Sequence, residues 1–342
     1  MELITSNKFA SLSNVIFSEV ISKSEFELKN KNNNLSVIQE SKINNDTFIW
    51  YINDQFDIKD GDIVYCQTEL IKRFFKVVRN YQLRNITLIT NQSDISIDSK
   101  LYSKKPEFIS RWFATNVATY QKNLTAIPLG INNNYMYTHP IENDFKNVEN
   151  KFDDKENFFY LNFNINTRFL HRFHIKNRFK NNKKAITENN LLSKKSYLKK
   201  INSYKFIICP WGNGYDTHRF WEALYSFSIP VSLKHISNEQ FDSLPVKLVN
   251  SFRKLDINFE EINNIDFDLE GSIADFSFWE KKIINQNSRN SETNSYTIEI
   301  KKENLKFLKR FQYIRIFLNR YKRLKYLIFR IYKKIYNLIT ID

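Results

Sequence analysis

Glycine is scarce: five in 342 residues, where average usage of about 7% would place roughly 24. Collagen-like and Gly-rich low-complexity chains are thereby excluded, and each glycine present marks a position where the backbone has a geometric need. Two of the five, Gly212 and Gly214, flank a single Asn213. Cysteine is scarcer still. Cys66 and Cys209 each close an apolar run, which suits buried thiols in a reducing cytoplasm and excludes a disulfide framework. Long hydrophobic runs are missing as well. Even the apolar-rich C-terminal part has an uninterrupted stretch of only four residues, Tyr326 to Phe329, against the ~20 needed to cross a bilayer. Met1 to Ala10 lacks an apolar core of signal-peptide length, and no internal repeat is visible.

What the chain has in quantity is aromatic and basic residues. Thirty Phe and 18 Tyr within 42% hydrophobic residues are enough for two cores, and 342 residues suit about two domains. Charge is unevenly placed. Residues 301–342 hold 13 Lys/Arg against 2 Asp/Glu, a net +11 of the chain's +15. In that tail Phe307, Phe311, Ile314, Leu318, Tyr321, Leu324, Ile328, Ile331 and Ile335 recur at helical spacing with cations between them. The pattern predicts a basic amphipathic helix lying on an anionic membrane surface; a helix packed back onto the first domain is the alternative.

The remaining 300 residues alternate apolar runs with helical patterns. Asp62–Cys66, Asn85–Thr90 and Thr125–Ile131 read as buried strands, and Glu69–Tyr81 carries Leu70, Phe74, Val77 or Val78 and Tyr81 at helical spacing. That alternation predicts an α/β fold with a parallel sheet. Polar residues at strand ends, Asn91 to Asp94 and Thr115-Asn116, fall where open α/β sheets bind ligands. Asp94 is the candidate general base, with His139 a weaker competitor. Charged, apolar-poor Glu142–Asn157 reads as a linker. The expected units are therefore 1–150, 151–300 and the 301–342 tail.

Residues 209–231, CPWGNGYDTHRFWEALYSFSIPV, run from an apolar strand through a Pro/Gly loop into a helix and a second strand. Gly212, Asn213 and Gly214 would let a ligand approach the backbone. The helix start at Asp216 and Thr217 would present N–H groups and partial positive charge to an anion. Phe220, Leu224 and Phe227 form the expected buried stripe, with Arg219, Glu222 and Ser226 on another face. Arg219 can fork onto a phosphate, Glu222 can accept from ribose hydroxyls, and His218 is a third polar candidate. Arg172, in the basic run Arg168–Lys184, is a further candidate for the same phosphates. The alternative is an Arg219–Glu222 surface ion pair beside a tight turn.

This segment resembles the donor-binding motif of exostosin-like glycosyltransferases, with the same Pro-x-Gly-x-Gly, Asp-Thr-x-Arg, Glu-Ala and Ile-Pro-Val punctuation over about thirty residues. FFYLNFNINTRFLHR (158–172) and FDSLPVKLVNSF (241–252) resemble neighbouring strands of the same half. The resemblance implies a GT-B-like architecture, two Rossmann-like domains facing a cleft, with a nucleotide-sugar donor held by the C-terminal one. Arg219 would then meet the diphosphate, Glu222 the ribose, and Gly212 to Gly214 the sugar-phosphate. It also implies a glycan or lipid-linked acceptor in surface-polysaccharide synthesis, such as lipopolysaccharide or capsule. Relatives often have Gly where this chain has Phe227.

The fucosyltransferases are the nearest enzymic rival, but their acidic and Lys-bearing helix start is not matched by Asp216-Thr217-His218-Arg219. No metal or other cofactor is expected, because Asp60-Gly61-Asp62 reads as a turn and Asp266-Phe267-Asp268 lies far from the Gly motif. A nucleic-acid-binding protein is the competing class; confinement of the charge to the tail and the lack of any nucleic-acid module signature weigh against nucleic acid as partner. A non-catalytic relative that keeps the pocket is the third reading.

Overall fold

The computed structural model describes residues 1–31, 34–43, 46–134, 139–146, 148, 151–188, 192–255, 265–285 and 294–300. The basic tail lies outside the described residues. In the first half the elements are α1 (Ser6–Ser11), β1 (Val15–Ser22), α2 (Lys23–Lys29), β2 (Leu35–Ile43), β3 (Asp46–Asn53), β4 (Gln55–Lys59), β5 (Ile63–Gln67), α3 (Ile71–Val78), β6 (Ile86–Asn91), α4 (Ser99–Tyr102), β7 (Ile109–Ala114) and β8 (Leu124–Ala126). Seven strands form one sheet in the order β2-β3-β1-β5-β6-β7-β8. From β1 to β8 neighbouring strands are parallel, while β3 runs antiparallel to both β1 and β2. Every residue of β5 and β6 is buried, the pattern of central parallel strands covered on both faces. Helix α3 covers one face through Ile71, Phe74, Phe75 and Val78, an i, i+3, i+4, i+7 stripe.

The second half contains β9 (Asn157–Leu161), α5 (Phe169–Phe179), β10 (Ala185–Thr187), α6 (Lys194–Ile201), β11 (Tyr204–Ile208), α7 (His218–Tyr225), β12 (Ile229–Leu233), β13 (Lys247–Val249), α8 (Phe276–Ile284) and β14 (Ser295–Glu299). Strands β10-β9-β11-β12-β13 form an all-parallel sheet. The period of two sorts its faces. Phe159, Leu161, Phe206, Ile208, Ile229 and Val231 pack with Ile175 and Phe179 of α5. Tyr160 and Ile207 instead share a core with Tyr197 and Ile201 of α6 and Phe220 and Leu224 of α7. Helices on both faces make this a doubly wound α/β unit whose strand order reverses between β9 and β11.

Helix α7 is buried more widely than the expected single apolar stripe. Phe220, Trp221, Glu222, Ala223, Leu224 and Tyr225 are all buried. All but Glu222 belong to a cluster that also contains Ile63, Tyr65, Ile89 and Phe113 of the first sheet, so the helix is sandwiched and only His218 and Arg219 at its start are part-exposed. Residues 142–157 also depart from a solvated linker. Phe145 meets Tyr225 at 6.3 Å and Phe152 meets Phe206 at 6.1 Å between ring centroids. Buried Lys155 donates to the Ser226 carbonyl and Ser228 Oγ at 2.6 Å each, and burial drives its pKa down to about 7. Low apolar density hid the fact that each apolar residue there is an anchor. The last described elements return to the first half: Phe276 of α8 packs on Phe9 at 5.5 Å, and β14 pairs antiparallel with β4.

At the end of α7, Phe227 takes φ +52°, with its amide bonded to Leu224 O and the Ser228 amide to Ala223 O. A left-handed residue there normally favours glycine. Phe227→Gly should therefore be more stable than Phe227→Ala by about 1 kcal/mol, the reverse of the usual order, because Ala loses the ring's packing without relieving the backbone. Urea unfolding of the two variants checks this; an Ala variant of equal or greater stability would contradict it.

Candidate functional site

The residues following β5, β6, β7 and β11 converge on a cavity of about 610 Å³. Its lining includes Glu69, Gln92, Ser93, Asp94 and Asn116 from the first half and Gly212, Gly214, Asp216, Thr217, His218, Arg219 and Glu222 from the second. Phe48 and Trp50 of β3 add an aromatic wall. The carboxyl ends of the parallel strands of both sheets thus face one space, where α/β folds bind ligands.

The glycine loop is built against Asn116. A Cβ on Gly214 would stand 2.8 Å from the Asn116 amide nitrogen and oxygen, so any side chain there would have to displace the Asn116 amide. Asn116, at φ +55°, accepts from the amides of Tyr215 at 2.8 Å and Asp216 at 3.1 Å and donates to Ser93 O at 3.0 Å. Gly212 has more room, with nothing nearer than 3.5 Å to such a Cβ. Asn213, on the exposed side of the loop, donates to Asp94 Oδ2 at 3.2 Å. The structure therefore joins the candidate base to the candidate donor loop.

Two expected ligand residues have structural duties instead. Both carboxylate oxygens of Asp216 are engaged: one accepts from the Leu129 amide at 2.8 Å, the other from the Thr217 amide at 2.7 Å, and both from the Trp221 indole. Burial pushes its pKa up to about 6 against those donors. Arg172 donates to the carbonyls of Trp211 at 2.9 Å, Asn164 at 2.8 Å and Pro210 at 3.3 Å. Its guanidinium braces the loop from beneath and is absent from the cavity lining, and burial and then Arg219 lower its pKa to about 10. The amides of Tyr215, Asp216 and Thr217 are likewise satisfied within the protein. The electropositive helix start is thus carried by the amides of His218 and Arg219 and by the Arg219 side chain. Thr217 is the N-cap residue by backbone geometry, with no side-chain capping bond.

Arg219 and Glu222 do not pair on a surface. Glu222 is 5% exposed; it accepts from Tyr197 Oη at 2.7 Å and from Asn132 Nδ2 at 3.4 Å, and burial raises its pKa. Arg219 also donates to Tyr197, while its buried Nε has no hydrogen-bond partner. Arg219 lines the cavity, and a guanidinium there whose donors are not all used by the protein is the strongest local sign of an anionic ligand. His218 Nδ1 lies 2.8 Å from Gly130 O, and burial lowers the pKa of the ring, favouring its neutral form. His139 lines the same cavity.

No protein-family model matches this chain, and no curated protein matches it. The site therefore rests on its own geometry. Tyr197, Asn132, Gly130 and the Phe48/Trp50 wall were not apparent as site residues from sequence. Gly130 alone carried a signal, as one of five glycines. Asp60 and Asp62 do form a turn about Gly61 at φ +78°, their carboxylates accepting from the amides of Arg84 and Lys59. The thiols of Cys66 and Cys209 are free and buried.

Proposed function

We propose that this chain is a glycosyltransferase of GT-B architecture that moves a sugar from a nucleotide-sugar donor to a hydroxyl of a growing surface glycan. The observation that carries the reading is Arg219 at the start of α7, a lining residue, with its buried Nε unpartnered among the described residues, of a cavity of about 610 Å³ between the carboxyl ends of the parallel strands of two sheets. That volume suits a nucleotide sugar. The resemblance of residues 209–231 to the exostosin-like donor motif supplies the substrate class, and fold alone would not. Arg219 and the α7 N-terminus would neutralise the departing diphosphate without a metal ion. The direct test is release of nucleoside diphosphate from a panel of nucleotide sugars offered with glycan and lipid-linked acceptors, with and without EDTA. One donor should be consumed in an acceptor-dependent, EDTA-insensitive way; no turnover of any donor would refute the reading.

The same reading places the enzyme at a membrane surface through residues 301–342. No helix among the described residues is long and apolar enough to cross a membrane. Thirteen cations interleaved with apolar residues would bind anionic lipid by charge and buried area together, where a lipid-linked acceptor diffuses. Truncation after Asn304 should abolish sedimentation with anionic liposomes and slow transfer to a lipid-linked acceptor, leaving donor affinity unchanged. Equal pelleting of both proteins would assign the tail a structural role.

A further inference from the structure

We infer that His218, rather than Asp94, is the general base that takes the proton of the acceptor hydroxyl; this rests on the glycosyltransferase reading above. A carbonyl oxygen can only accept, so the 2.8 Å contact of His218 Nδ1 with Gly130 O places the ring proton on Nδ1. Nε2 then carries the lone pair. Among the described residues it has no hydrogen-bond partner, and it is not one of the buried unpartnered atoms, so it opens on the cavity that His218 lines. The anchor is rigid. Gly130 sits at φ +72° against Ile4, whose carbonyl accepts from the Ile131 amide at 2.9 Å. The arrangement, a carbonyl fixing one imidazole nitrogen so that the other faces substrate, is how proteins aim a histidine base.

Asp94 is placed less well. It is exposed, and its Oδ2 already accepts from Asn213. His139 has no comparable anchoring bond among the described residues. Successive helix positions diverge by about 100°, so His218 and Arg219 address different parts of one cavity. In-line displacement needs that separation between base and leaving-group binder. The step balances without a further reagent: Nε2 takes the hydroxyl proton, the oxygen forms its bond to the anomeric carbon, and the carbon–oxygen bond to the diphosphate breaks with its pair held at Arg219. The imidazolium then returns its proton to solvent.

The charged and titratable groups around the ring are Arg219 and Glu222 on its own helix, Asp216 before it, Asp94 after β6, Glu69 after β5, and His139. Burial holds the ring's pKa below 6.5. The test combines the pH profile of kcat/KM with His218→Ala and His218→Gln. Wild-type activity should fall on an acid limb below pH 6.5. Both variants should lose a hundredfold or more in transfer while keeping donor binding, and added imidazole should partly restore His218→Ala. Asp94→Asn should leave the limb in place. An active enzyme whose His218 variants keep wild-type rate, or whose limb vanishes in Asp94→Asn, overturns this inference alone. A wild-type protein inactive with every donor overturns the glycosyltransferase reading and this inference together.

Discussion

On the glycosyltransferase reading, Arg219→Ala should lower transfer from the nucleotide-sugar donor by about tenfold to a hundredfold while the protein stays folded. A charge-assisted hydrogen bond to phosphate is worth about 1.5–3 kcal/mol, and Arg219 lines the cavity with a guanidinium whose Nε has no partner among the described residues. Arg219→Lys should recover only part of the loss, since an ammonium keeps the charge but not the fork. Steady-state kinetics with varied donor, beside circular dichroism, checks both variants. A wild-type donor KM and kcat in Arg219→Ala would remove the guanidinium from the site. Glu222→Ala is expected to behave differently. Glu222 lies buried under Tyr197 and Asn132, so its removal strips hydrogen bonds from both and shows first as lost stability.

Gly130→Ala should be the most damaging single methyl in the chain. A Cβ there would stand 2.1 Å from Ile4 O and 2.6 Å from Ile4 C, which are backbone atoms and cannot rotate away. The residue also sits at φ +72°, a conformation that costs an L-residue about 1–2 kcal/mol before any clash. A loss exceeding ~3 kcal/mol is expected. Because Gly130 O anchors His218, any folded fraction should also be slow in transfer. Urea unfolding with wild-type stability in Gly130→Ala would mean that Ile4 and Gly130 do not approach in this way.

The strand-loop-helix-strand of 204–233 was legible because apolar runs, a Gly-Asn-Gly loop and a helix start fall in the order that physics requires of them. The parallel strands of both sheets followed from the same alternation of strand and helix patterns, whereas the antiparallel β2 and β3 at one edge of the first sheet did not. What sequence did not carry was which atoms were already partnered. Nothing local to Asp216 or Arg172 reveals that their donors and acceptors are committed to Leu129, Trp221, Trp211, Asn164 and Pro210, of which only Trp221 and Asn164 are near in sequence. Burial of Glu222 was hidden for a related reason. An i, i+3 Arg–Glu pair looks solvated until the first sheet is packed against the same helix. Tyr197, in a lysine-rich stretch, reads as surface although its hydroxyl sits between Arg219 and Glu222.

Thermal unfolding of wild type and Arg219→Ala across uridine, guanosine, cytidine, adenosine and thymidine diphosphates and their sugars tests the central claim most directly. A ligand present at 100 times its dissociation constant stabilises by about 2.7 kcal/mol, a shift of a few degrees for a chain of this size. The account predicts such a shift for one nucleoside diphosphate and its sugar in the wild type, and its loss in Arg219→Ala. No shift with any of them, or an equal shift in both proteins, would contradict it.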